Sequence, residues 1–222
     1  MQKKRNCPIC KTYNKHKVFL KENIKNNEIN KFSFSSRKIP EFMNFELIKC
    51  NKCSLIFASK IPNFKKIKKL YNETGFGSEQ DALDASQTYF KYLKTYLKLK
   101  LRKNALEIGT GSGIFLSYLK KLGFINVIGV EPSKKAISLA NKKIKKNILN
   151  GMFEEIKVKK NFFDLICCFM TMEHVYDPNK TLFKSYSSLK KGGVIALVAH
   201  DAENILHKVL GKKSPIIDIE HL

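Results

Sequence analysis

The sequence predicts an α/β fold, a doubly wound parallel sheet preceded by a small cysteine-rich module, and three observations predict it. After Lys103 short apolar runs alternate with helix-patterned stretches, the order that builds a parallel sheet with helices packed on its faces. The first of those runs, Asn104 to Ile108, leads into the glycine-rich turn Gly109-Thr110-Gly111-Ser112-Gly113 and then into an apolar helix, Ile114 to Leu122. Two C-x-x-C pairs, Cys7-Pro8-Ile9-Cys10 and Cys50-Asn51-Lys52-Cys53, stand near the start of the chain.

Length and charge set the frame. With 222 residues the chain suits one ordinary domain and a small appendage, divided as 1–60, 61–101 and 102–222. No apolar run approaches the about 20 residues of a membrane span. The basic start Met1 to Asn6 runs directly into Cys7 with no apolar core of a signal peptide, so the expected compartment is the cytoplasm. The net charge of +23 raises the question of a nucleic-acid partner. Its lysines are spread along the whole chain and arginine, the usual base reader, is scarce, which favours a general compositional drift.

Four thiolates from two C-x-x-C knuckles suit a tetrahedral structural Zn²⁺, giving Cys7, Cys10, Cys50 and Cys53 as ligands. A disulfide framework fits a reducing compartment less well, and neither knuckle stands beside the βαβ unit that a redox pair would need. Residues 1–60 are too short for a core of their own, so metal binding would supply folding free energy. Hairpin strands are expected around Val18 to Leu20 and Phe45 to Ile48. In 61–101 a helix opening at Pro62 and running through Tyr71 is expected, then a turn over Asn72 to Gly77, then a helix carrying Tyr89, Tyr92, Leu93, Tyr96 and Leu97.

In the sheet region the second strand is Val127 to Val130, ending at Glu131-Pro132, with Ser133 capping the next helix. The third is Asn147 to Leu149, followed by a short helix opened by Glu154 and Glu155. The fourth, Phe163 to Phe169, is continuously apolar, as for a strand buried on both faces, with Cys167 and Cys168 as small core residues. A helix over Leu182 to Leu189 and a turn at Lys190 to Gly193 lead into a fifth strand ending at Val198. Ala202 to Leu210 is helix-like.

The glycine turn discriminates between ligands. A dinucleotide fingerprint, G-x-G-x-x-G, needs glycine where this chain has Ile114. Glu107, two residues before Gly109, suits a ligand carrying ammonium and sulfonium charge and would repel a pyrophosphate. The pattern Glu107-x-Gly109-x-Gly111-x-Gly113 resembles motif I of the class I S-adenosylmethionine-dependent methyltransferases. Glu173-His174-Val175-Tyr176-Asp177-Pro178 is similar to an E-H-V-x-D-P segment frequent in one of its subfamilies, and Leu189-Lys190-Lys191-Gly192-Gly193 to the family's L-K-x-G-G turn. Together these motifs span about 70–210.

The resemblance implies a Rossmann-like sheet and S-adenosylmethionine as cofactor. It implies cofactor contacts from Glu107, Gly109, Thr110, Gly111, Gly113, Glu131, Pro132, Met152, Phe153 and Phe169. Glu131 would accept the ribose hydroxyls, while Met152 and Phe153 would flank the adenine. Tyr71 and Phe76 are either lid residues or plain helix packing. His174 is either a base near the acceptor or a histidine that holds its loop. Glu220 and His221 resemble a Glu-His pair of zinc-containing sugar C-methyltransferases and are further candidates for the base. The family's sheet ordinarily ends with two further strands for which the tail after Val198 is too short, so a fragment, or an enzyme without that edge, is expected. The fifth strand would then be left as an unpaired apolar edge.

The function expected is methyl transfer to a small or carrier-linked acceptor such as a sugar. An RNA methyltransferase using the zinc module and the lysines, and a non-catalytic zinc-ribbon binding module, are the alternatives.

Overall fold

The computed structural model describes residues 5–13, 15–24, 29, 33–34, 43–74, 79–98, 102–214 and 216–222. Of the turn expected over Asn72 to Gly77, residues 75–77, Phe76 among them, lie outside the described residues, while Asn72 and Glu73 belong to the first helix. The strands are β1 (His16–Leu20), β2 (Leu47–Cys50), β3 (Ile56–Ala58), β4 (Asn104–Ile108), β5 (Asn126–Glu131), β6 (Ile148–Asn150), β7 (Phe163–Phe169) and β8 (Leu189–Val198). The helices are α1 (Phe64–Glu73), α2 (Glu79–Tyr96), α3 (Ile114–Lys121), α4 (Lys134–Leu139), α5 (Lys142–Lys145), α6 (Pro178–Ser188) and α7 (Ile205–Leu210).

β1, β2 and β3 form an antiparallel sheet in which Leu47 faces Ala58 and Ile48 faces Phe57. Alternation sends neighbouring residues to opposite faces. Ile48, Cys50 and Phe57 therefore cluster with Cys7 on one face. Phe45, Leu47 and Ala58 turn to the other, where they meet Ile67 of α1 and, from the far end of the chain, Ile217 and Ile219.

The remaining strands form one parallel sheet in the order β6-β5-β4-β7-β8. The chain starts in the middle at β4, winds outward to β6, and returns past β4 to build β7 and β8. This reversal opens a crevice beyond the carboxyl ends of the central strands, where ligands bind in such sheets. All of β4 is buried. Ala105, Leu165 and Cys167 pack with Phe115, Leu116 and Leu119 of α3. Leu106, Ile108, Ile166 and Cys168 pack on the opposite side with Val130 and Phe153. Burying such a side chain contributes about 1.5 to 3 kcal/mol, so this two-faced core holds the crevice in place.

Some local expectations change. Glu154 and Glu155 do not open a helix. Residues 151–156 make turns, with the Glu155 and Ile156 amides both donating to Met152 O at 2.9 and 3.2 Å. The helix expected over Leu182 to Leu189 starts earlier, at Pro178, because Asp177 caps it by accepting from the Lys180 amide at 3.1 Å. Lys190 to Gly193 is no separate turn but an irregularity inside β8. Phe163 pairs with Leu189 while Leu165 pairs with Val194, and Gly192 takes φ 78°. Among the described residues β8 is an edge, with Val194, Ile195 and Leu197 exposed. No helix of the described residues is long and apolar enough to cross a membrane.

Candidate active site

β4 and β5 end side by side, and the turn after β4 is tied to its neighbour. The Gly109 and Thr110 amides both donate to Val130 O, at 2.9 and 3.1 Å. Gly109 has φ 73°, and a Cβ on it would stand 2.5 Å from Thr171 Cγ2, so only glycine lets the turn pass under the loop that follows β7. Gly111 has φ 57° and turns its amide toward Glu131, donating to Oε2 at 2.8 Å.

Two carboxylates flank this turn. Glu107 leaves β4 just before it, is 5% exposed, and accepts a hydrogen bond from the Thr110 hydroxyl. Burial, with Glu131 nearby, pushes its carboxyl up to about 8. Glu131, at the end of β5, accepts from the Gly111 and Ser133 amides at 2.8 Å each. Burial raises its pKa, against the pull of those hydrogen bonds and of His174. Both acids are poorly solvated, and neither has a cationic partner bonded to it among the described residues.

The turn separates two adjoining cavities. One, about 180 Å³, is lined by Glu131, Pro132, Gly151, Met152, Phe153 and Glu154, and at its other end by Phe34, Tyr71, His174 and Glu220. The second, about 270 Å³, is lined by Asp81, Tyr89, Glu107, Thr110, Ser112 and Phe169. Gly109, Gly111, Met170 and Thr171 border both. Gly113 borders neither: it opens α3 with φ 76°, and a Cβ there would press on Ile144 and Ile148. Ser112 Oγ and Glu154 Oε1 are buried without a hydrogen-bond partner among the described residues. Such atoms carry a desolvation penalty until a ligand pairs with them.

The first cavity is closed by residues distant in sequence. Tyr71, whose phenol is held protonated by burial and nearby carboxylates, donates to Glu220 O at 3.5 Å and packs edge-on to Phe34. His174 Nδ1 lies 3.2 Å from Glu220 O and His221 Nδ1 lies 2.6 Å from Ile216 O. A carbonyl only accepts, so each ring carries a proton on Nδ1. The His174 and His221 rings stand 5.0 Å apart, but of the two only His174 reaches the cavity.

The four knuckle cysteines converge, each Sγ within 4.8 Å of the others. Cys7 and Cys53, and Cys10 and Cys50, have their sulfurs 3.5 Å apart, close to the about 3.8 Å edge of a tetrahedron with 2.3 Å metal–sulfur bonds. The knuckles repeat one geometry. Lys11 and Ser54 take φ 57° and 61°, and their amides donate back to Cys7 O and Cys50 O at 2.9 Å.

Sequence reading left Phe34, Tyr89, Ser112, Glu154 and Thr171 out of the site. Ser112 stands inside the glycine turn and could have been included. Tyr89 carried only helical spacing, yet it packs 4.4 Å from the Phe169 ring at the second cavity. Phe34 and Thr171 reach the cleft through long-range packing that no local pattern encodes.

Residues 82–218 match the family described as Methyltransferase domain. Over 108 residues the chain is 33% identical to the ubiquinone biosynthesis O-methyltransferase of Coxiella burnetii, covering 46% of this chain and 45% of that protein. Over 85 residues it is 34% identical to human EEF1A lysine methyltransferase 2, covering 37% and 34%. The chain thus spans less than half the length of these relatives. Among solved structures it is similar to a SAM-dependent methyltransferase from Thermotoga maritima, described as a possible histamine N-methyltransferase, at 27% identity and TM-score 0.47, covering 68% of this chain and 70% of that one. With more than half its length inside the matched region, the chain belongs to the methyltransferase domain family.

Proposed function

We propose that this chain transfers the methyl group of S-adenosylmethionine to a small-molecule or carrier-linked acceptor. The observation that carries this reading is the pair of buried carboxylates, Glu107 and Glu131, on either side of the glycine turn. Glu107 suits the ammonium end of the cofactor, Ser112 Oγ can hydrogen-bond the same end, and Glu131 has lone pairs beyond its two amide bonds to accept ribose hydroxyls. Pro132, Met152 and Phe153 offer apolar walls for a purine, with Glu154 Oε1 as an acceptor in need of a donor.

When bound, S-adenosylmethionine supplies an electrophilic methyl group on a good leaving group, so the chain's task is mainly alignment. Tyr71, His174 and Glu220 line the same cavity as Glu131 and would hold the acceptor. His174 presents Nε2 as a base, oriented through its Nδ1–H bond to Glu220 O, for an acceptor that must lose a proton. A small-molecule acceptor is in line with the name of the Coxiella relative, an O-methyltransferase of ubiquinone biosynthesis. The four cysteines would bind a structural Zn²⁺.

Calorimetric titration with S-adenosylhomocysteine, with NAD as control, tests the cofactor. Micromolar binding of the first alone is expected. Binding of NAD instead, or of neither, would refute the assignment.

A further inference from the structure

Beside the cavity lies a group of side chains that the methyl-transfer reading does not use. Glu173 is in the helical turn after β7, His200 follows β8, and His221 belongs to the tail. One ligand-capable atom of each lies within 4.8 Å of those of the other two. The Glu173 side chain is 11% exposed, and neither of its carboxylate oxygens has a hydrogen-bond donor among the described residues. His200 Nε2 is 3.6 Å from Glu173 Oε1, too far for a hydrogen bond.

A buried carboxylate without a hydrogen-bond donor carries a desolvation penalty, and a cation bound between it and the two imidazoles would remove it. His221 is anchored as metal-bound histidines are, through one ring nitrogen, Nδ1, held 2.6 Å from the Ile216 carbonyl.

We propose that Glu173, His200 and His221 form a second metal site, taking a divalent first-row transition cation such as Zn²⁺, Co²⁺ or Fe²⁺ through one carboxylate and two imidazoles. That donor set suits such cations and differs in kind from the four thiolates of the N-terminal module.

The site would act as a clip. Its ligands come from three segments far apart in sequence, and the last belongs to the tail whose Glu220 walls the cavity and whose Leu222 amide already donates to Glu173 O at 2.9 Å. A cation would fasten that wall to the ends of β7 and β8 next to the His174 ring. It needs no turnover, so it stands or falls separately from the methyl-transfer reading.

The test is titration of the full chain with Co²⁺, followed by visible absorption. The thiolate site gives intense sulfur-to-metal charge transfer, while a nitrogen and oxygen site gives only weak ligand-field bands. Two equivalents per chain are expected, the second without charge transfer. Glu173→Gln and His200→Ala should each weaken that second equivalent by at least about tenfold, the scale on which even supporting residues act. Because His200 lies at the surface, its substitution leaves the core untouched. A single, thiolate-bound equivalent would overturn the proposal, as would a second one that either variant leaves unchanged.

Discussion

In the antiparallel sheet β2 buries apolar residues on both faces, but each face has a borrowed cover: the cysteine knuckles over Ile48 and Phe57, and the distant Ile217 and Ile219 over Leu47 and Ala58. In the parallel sheet β4 is covered by elements of its own fold, α3 on one face and the segment through Phe153 on the other. The first region depends on its cysteine knuckles and a long-range strap, the second on a continuous core. The functional cleft lies between them, with Glu107 and Glu131 from the parallel sheet and Phe34 and Tyr71 from the side of the small one. Its cofactor half should be robust and its acceptor half conditional on the small region.

The sharpest way to break this contrast is to remove a thiolate. Cys50→Ser should abolish metal retention in the knuckles and with it a binding free energy of about 10 to 16 kcal/mol. Limited proteolysis should then cut within residues 5–60 and in the tail at 216–222 while β4 to β7 stay protected; protection everywhere would mean that the small sheet stands without metal. Next in size, Leu106→Ala should cost about 2 to 5 kcal/mol in denaturant melts and leave knuckle metal content unchanged.

Glu131→Ala should weaken S-adenosylhomocysteine by about 1 to 3 kcal/mol, the scale of charged hydrogen bonds, with no loss of knuckle metal. A smaller effect follows from Glu107. With its carboxyl at about 8 in the free chain, it is mostly protonated at neutral pH, and a ligand ammonium favours the ionised form. Binding should therefore release a proton and tighten as pH rises toward 8, by up to about 1.4 kcal/mol per pH unit. Calorimetry in buffers of different ionisation enthalpy reads the proton, and Glu107→Gln should flatten the profile. The smallest effect belongs to the exposed ion pair of Lys68 on α1 with Glu155, at 2.6 Å. Lys68→Met should change stability by no more than about 1 kcal/mol.

How far the sequence could be read follows the same division. Where burial is local and two-faced, the apolar run itself marks the strand, as in Phe163 to Phe169, which is β7 residue for residue. Ser133 was legible as a cap because its partner, the Ala136 amide at 3.2 Å, is three residues away. Glu154 and Glu155 misled because acidic residues at a helix start are only a propensity, and here Met152 and Phe153 turn inward to the cavity and break the helical path. The packing of Ile217 and Ile219 on Phe45 and Leu47 was hidden altogether, since no periodicity links residues so far apart.

That last contact has a consequence for synthesis. Roughly 160 residues separate Ala58 of the small sheet from Ile217, which covers it. At about 5 to 20 residues per second, a nascent chain would wait on the order of 10 to 30 s between making that sheet and receiving its cover. Through that interval that apolar face has, of its buried cover, only Ile61 and Ile67, and metal, if the knuckles take it up early, would keep the half-finished sheet from pairing with a stranger.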